Sequence, residues 1–380
     1  MKKITPLNKF TLENGDSFFS IEIKKDHVVT CSGKINTEGK EKINTPKSDF
    51  EKDNIQFFAN KLTWKKYKEG YFYSAADNKP LRLQIPTPEH LKGVIYAVID
   101  NNIFLVQDSD NNGSRIWKIN SENGSHEKIF EMKSFMIRSI KYIPGTQKLL
   151  ITPDFDRKIE LQILDAESGK TEKIAESTYL SYHDILDVDS SGEKVVFGKT
   201  NDVFCIINLH SGKSVFEAPV LNTGTDGQLT KLSDNGKYCA VAGRTPDGNI
   251  LRIYDLDKNI HFETVTGSDN PVDDMAWAGD KIILFERFNP PGLWKINSGS
   301  VELTGIKFIS SGMSIAVSSD NKFLAVYDNG VNVAISEIES GLKVAEIFEP
   351  LHLKYGNACF LPNDRIMVTG GGIISVYKLK

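Results

Sequence analysis

The chain has 380 residues, 40% of them hydrophobic and 25% charged, with a formal net charge of −4. That length exceeds one ordinary domain, and the composition is that of a soluble globular protein, neither disordered nor membrane-bound. No apolar run approaches the roughly 18 residues of a spanning helix, and Met1-Lys2-Lys3-Ile4-Thr5-Pro6 leads to Asn8, Lys9, Glu13 and Asp16 rather than a signal-peptide core, so a cytoplasmic protein without membrane contact is expected.

In chain order, residues 1–75 come first and are basic, with 14 lysines against 10 acidic residues, whereas the remainder holds 32 basic and 40 acidic residues. Phe19, Ile21 and Ile23 alternate as in a strand, followed by His27-Val28-Val29-Thr30-Cys31 and Ile43-Asn44-Thr45. Ser48-Asp49-Phe50-Glu51 has the form of a capping box, in which Ser48 and Glu51 satisfy helix-start amides. Ile55, Phe58, Ala59 and Leu62 then make one helical stripe, and Phe50, Phe57 and Trp64 a second, before Gly70 ends the helix. A second apolar stripe needs a second surface, so Phe57 and Trp64 are expected to complete the sheet-facing core or to contact the following domain. The run Thr30-Cys31-Ser32-Gly33-Lys34-Ile35-Asn36-Thr37-Glu38-Gly39-Lys40, with the helix and Lys68-Glu69-Gly70-Tyr71 after it, resembles the WGR domain over residues 10–71. Ser32-Gly33-Lys34 stands at the Trp-Gly-Arg triplet and Ile35-Asn36-Thr37-Glu38-Gly39 at the Ile-Gly-Thr-x-Gly that follows it. The resemblance implies a small α+β fold and a contact with nucleic acid or protein. Ser32 supplies no ring to stack on a base, and Lys34 keeps the charge of Arg without its planar fork. Lys34, Lys40, Lys42, Lys61 and Lys65 are the residues such a nucleic-acid contact would use.

Residues 76–380 repeat. Turns recur at Asn120-Ser121-Glu122-Asn123-Gly124, Asp165-Ala166-Glu167-Ser168-Gly169, Asn208-Leu209-His210-Ser211-Gly212, Asn297-Ser298-Gly299 and Glu339-Ser340-Gly341. Their glycines are spaced 45, 43, 87 and 42 residues apart. The 87 is two periods, and Asp255-Leu256-Asp257-Lys258-Asn259 is the copy without glycine, with Asn able to take the positive φ. A second turn recurs at Asp189-Ser190-Ser191-Gly192, Ser233-Asp234-Asn235-Gly236 and Ser318-Ser319-Asp320-Asn321, each before an apolar run. A four-strand unit of this period is a propeller blade. Blades are expected near 93–132, 136–176, 180–219, 225–266, 270–306 and 311–349, with a seventh from Tyr355 that is one strand short. Pro80-Leu81-Arg82-Leu83-Gln84-Ile85 alternates correctly to supply that strand and remove two open edges. The fold class is therefore mainly β: a seven-bladed β-propeller over 76–380, closed by a strand near 80–85, preceded by a small α+β domain over 1–75. Period and turns resemble WD-repeat and quinoprotein-like propellers, although Gly-His and Trp-Asp dipeptides are missing.

Catalytic chemistry leaves little trace. The seven histidines never stand at metal-ligand spacing, and no catalytic, cofactor or metal motif is present. Cys31, Cys205, Cys239 and Cys359 are far apart and read as reduced structural thiols. His183, Asp184, Asp273 and Asp274 are candidates for a polar channel mouth. A hydrolase with a channel-mouth metal would require two or more of Asp184, Asp187, Asp273, Asp274 and Glu286 to converge. The leading reading is a non-catalytic scaffold without a cofactor, binding a protein or peptide through the propeller. Nucleic-acid binding through residues 1–75 is the alternative, and the hydrolase the third.

Overall fold

A computed structural model describes residues 2–3, 9–53, 55–73, 81–86, 95–108, 113–122, 125–155, 158–178, 185–221, 228–268, 270–297, 299–308, 314–327, 332–348, 357–370 and 373–379. The molecule is mainly β, and among the described residues no helix is long and apolar enough to cross a membrane.

After a two-residue strand β1 (Lys2–Lys3), the N-terminal unit is an antiparallel sheet of β2 (Lys9–Asn14), β3 (Ser17–Ile23), β4 (Val28–Lys34), β5 (Lys40–Asn44) and β6 (Phe72–Tyr73), in the order β5-β4-β3-β2-β6. Helices α1 (Asp49–Asp53) and α2 (Ile55–Lys68) follow β5, and α2 lies over β3 and β4. Leu12, Phe19, Ile21, Val28 and Ala59 form the core between sheet and helix. At the helix start Ser48 Oγ accepts the Glu51 N–H at 3.2 Å, while the Glu51 carboxylate accepts from Lys47 N–H, also at 3.2 Å, one residue before the expected partner. Lys61 Nζ, 3.1 Å from Glu51, is the leading cause of the lowered Glu51 pKa. The side chains of Phe57 and Trp64 lie outside the described residues.

A series of four-stranded antiparallel sheets follows, at 95–132, 136–177, 186–219, 228–265, 272–307 and 314–348, each with strands in chain order. Strands at 357–361, 365–370 and 373–378 make three members of one more sheet, and β7 (Leu81–Pro86) is its fourth, with Ile374 opposite Ile85 and Val376 opposite Leu83. In the sheet at 314–348 the outermost strand also pairs in parallel with β1, Lys2 opposite Ala345.

Second strands such as Leu149-Leu150-Ile151, Val195-Val196-Phe197 and Ile282-Ile283-Leu284-Phe285 are continuously buried, because a sheet stacks on each of their faces. Each apolar cluster is accordingly shared by two neighbouring sheets. Ile116 and Ile137 belong to the one between the first and second, and Ile103, Leu105, Met367 and Val376 join the last sheet to the first. The core of the N-terminal unit is continuous with the cluster between the last two sheets, which includes Ala325, Tyr327, Ile366 and Val368. Fully buried Arg365 reinforces the joint of last sheet to first, donating to Pro362 O at 2.9 Å and to Asn101 Oδ1.

The turns explain the repeat. Gly169, Gly212, Gly299 and Gly341 have φ between 66° and 87°, and Asn259 takes φ 54° in the copy that lacks glycine. In three copies a serine hydroxyl donates to the residue that opens the turn, Ser168 to Asp165 at 2.8 Å, Ser211 to Asn208 at 3.0 Å and Ser340 to Glu337 at 2.6 Å.

Candidate functional site: an axial ring and a presented loop

The first strand of each sheet borders the central axis, and its neighbours are the first strands of adjacent sheets. Within a strand, side chains alternate: Leu186 and Leu232 enter the inter-sheet clusters, while Asp187 and Lys231 meet each other at the axis. Lys141, Asp187, Lys231 and Asp274, from four successive sheets, follow one another as a row of alternating charge. Asp187 Oδ1 lies 3.6 Å from Lys141 Nζ and 3.9 Å from Lys231 Nζ. Its Oδ2 accepts the Leu232 N–H at 3.0 Å. Asp274 is held the same way by the next sheet, accepting from Ile315 N–H at 2.9 Å, and it also accepts from Met275 N–H of its own strand at 2.8 Å.

The electrostatics follow position in the row. Lys231 stands between two carboxylates, and Asp187 is the main reason its amine titrates above the ordinary lysine value. Lys141 ends the row; the nearby Lys231 charge, with burial, pulls its amine below the ordinary value. Burial raises the Asp274 carboxyl. Val317, Cys359 and Tyr96 come from three further sheets, giving the axis an uncharged side among the described residues. Burial lifts the Cys359 thiol to about 11 and the Tyr96 hydroxyl well above the phenol range. A cavity of about 480 Å³ opens there, bordered by Tyr96, Val317, Cys359 and Lys141.

On the opposite face, the connection between the second and third strands of the sheet at 272–307 presents Phe288. This side chain is 75% exposed, at φ 65°, a backbone region that bulky residues rarely adopt. The loop is fixed on both sides of it. Arg287 pairs with Asp273 through two nitrogens, at 3.0 and 2.8 Å, and its N–H donates to Pro271 O. Asn289 donates its N–H to Glu286 O and its amide to Ser268 Oγ.

Among the acidic candidates read from sequence, the structure brings Asp187 and Asp274 to the axis, directs Asp273 to Arg287, and engages Glu286 with Asn249 and Thr266. His183 and Asp184 lie outside the described residues. Among the described residues no group of three His, Cys, Asp or Glu could hold a metal ion. In the N-terminal unit Lys34, Lys40 and Lys42 are exposed and project from the helix-bearing face of the sheet, since Lys40 is opposite Ser32 and Lys42 opposite the buried Thr30. Lys61 is committed to Glu51, and Lys65 is exposed on α2. Ser32 and Gly33 lead into a turn closed by Thr37, whose hydroxyl donates to Lys34 O at 2.7 Å, with Asn36 at φ 67°. Gly33 and Gly39 pack together on Phe18: a Cβ on Gly33 would lie 3.1 Å from Gly39 Cα.

Sequence reasoning missed Lys141, Lys231, Tyr96, Cys359 and Phe288. The signal for most of them was the repeat itself. Tyr96, Lys141, Asp187, Lys231, Asp274, Val317 and Cys359 are spaced by 45, 46, 44, 43, 43 and 42 residues, one equivalent position per unit.

No protein-family model matches the sequence, and no curated protein does. Solved structures do match. The crystal structure of Chaetomium thermophilum Raptor aligns at 11% identity and a TM-score of 0.58, over 79% of this chain and 28% of that one. The chain thus corresponds to little more than a quarter of Raptor's length. A chain in the crystal structure of the mitotic checkpoint complex aligns at 13% identity and a TM-score of 0.59, covering 80% of this chain and 92% of that one. At such identities the likeness shows fold alone, that of a β-propeller.

Proposed function

We propose that the protein is a non-catalytic interaction scaffold: a seven-bladed β-propeller that binds a protein or peptide partner, with residues 1–75 as a WGR-like second contact module. Seven blades are supported by the succession of four-stranded sheets and by the pairing of β7 with the final strand. The WGR-like reading is supported by the close packing of Gly33 against Gly39 and by Asn36 taking a glycine-like conformation. One similar structure is itself that of a complex, the mitotic checkpoint complex.

The observation that carries the proposal is Phe288. An exposed aromatic ring held on a pinned loop is pre-organised, so docking it into a partner costs little ordering entropy, and such rings are frequent interface anchors. The test is affinity capture from native extract with the wild-type full chain and with Phe288→Ala. At least one protein should be retained by the wild type and lost with the variant, at unchanged melting temperature. Identical captures would count against the loop as the contact.

The placement of Lys34, Lys40 and Lys42 on one exposed face favours a second reading, nucleic-acid binding by residues 1–75. Binding of the full chain to short duplex and single-stranded DNA should then fall with salt and weaken in Lys34→Ala. Absence of binding at low salt would retire it.

A further inference from the structure

The axial ring is divided. Four of its seven equivalent positions carry the row Lys141, Asp187, Lys231 and Asp274, and three carry Val317, Cys359 and Tyr96. Lys141 stands at the boundary, with Asp187 on one side and the sheet of Tyr96 on the other. It is also the cationic residue in the lining of the 480 Å³ cavity, whose wall is otherwise largely apolar and includes Val98, Tyr142 and Phe360. The one acidic lining residue, Asp100, is solvent-exposed.

The amines at the axis have donor capacity left over. Lys141 and Lys231 share Asp187 Oδ1 at 3.6 and 3.9 Å, whereas a direct ammonium–carboxylate hydrogen bond spans about 2.7–2.9 Å. The remaining oxygens of Asp187 and Asp274 are taken by backbone N–H groups of Leu232, Met275 and Ile315. Lys141 therefore faces an apolar space with ammonium protons that no described acceptor reaches at hydrogen-bond distance.

We propose that this cavity binds a monoanionic carboxylate carried on an apolar body, with Lys141 donating to the carboxylate and the uncharged side of the ring covering the rest. A single charge is specified because Asp187 and Asp274 remain in the row and Asp100 stands beside the cavity; each repels a second negative charge. The lowered Lys141 pKa agrees with this, since an incoming anion relieves the crowding by Lys231. The site is on the face opposite Phe288 and stands or falls independently of the scaffold proposal.

The probe is phenylpropionate, followed by ligand-observed saturation-transfer NMR on the full chain at neutral pH and low salt, beside phenylpropionamide and phenyl phosphate. The acid should bind roughly tenfold or more tightly than its neutral amide. Lys141→Met, which keeps length and removes charge, should abolish that preference, and Lys213→Met on an exposed outer strand should preserve it. Equal binding of acid and amide, no binding of the acid, or undiminished acid binding by Lys141→Met would each overturn the proposal. Tighter binding of phenyl phosphate would overturn the monoanion assignment. Should Lys141→Met fail to fold, the acid–amide comparison on the wild type still decides.

Discussion

The propeller and the N-terminal unit solve the same problem, a sheet with an apolar face, in opposite ways. In the propeller each sheet covers its neighbour, so stability lies in joints between near-copies, such as the cluster of Ile103, Leu105, Met367 and Val376 with Arg365 beside it. In the N-terminal unit one sheet is covered once, by α2, and its shape depends on a single turn in which Gly33 and Gly39 touch. Damage to a joint is therefore shared round the ring, whereas damage to the turn stays local.

Three substitutions would break or sharpen that contrast. The largest effect is expected from Arg365→Met, which removes a buried guanidinium and leaves Pro362 O and Asn101 Oδ1 without this donor. A loss of about 2–4 kcal/mol is expected, seen in chemical denaturation as destabilisation of the whole propeller. If only the last sheet loosened in hydrogen exchange, the picture of shared joints would fail. Next is Gly39→Ala, whose Cβ would lie 2.4 Å from Cys31 Sγ and 2.6 Å from Phe18 Cζ. It should cost about 1–3 kcal/mol by overpacking, with faster exchange confined to β3, β4 and β5. Spread of the effect into the propeller would mean that the shared apolar cluster couples the two units. The smallest effect is expected from Glu176→Gln. Lys158 and Lys173 hold that carboxyl at about 2, but the group is on an exposed outer strand where solvent screens the pair. A folded value below the unfolded one gives a contribution present at neutral pH and lost as pH falls toward 2. The substitution should move the melting temperature by no more than about 1 °C at neutral pH, and a larger shift would show that outer strands carry weight assigned here to the joints.

Legibility in the sequence follows the same division. Repetition exposed the four-strand units without any signature dipeptide, because one turn conformation recurs wherever Gly169, Gly212, Gly299, Gly341 or Asn259 stands. The N-terminal strands and helix were readable from alternation and from Ser48 and Glu51, yet the partner of Glu51 turned out to be Lys47 N–H. The axial ring escaped notice because its residue types differ from unit to unit. Lys141, Asp187 and Tyr96 share a position and no chemistry, so only superposing the units brings them together. Phe288 had no periodic context at all: its exposure comes from a turn pinned by Asp273 and Ser268, contacts set by tertiary structure.

The pairing of β7 with the strand at 373–378 also imposes an order in time. On the ribosome, residues 81–86 emerge first and their partner strand comes almost 290 residues later. At about 5–20 residues per second that interval is roughly 15–60 s. Throughout it the nascent chain carries an unmatched strand ahead of a growing, unclosed array. Closure of the array waits for residues 373–378, and a pause in synthesis before them leaves β7 open to the wrong company.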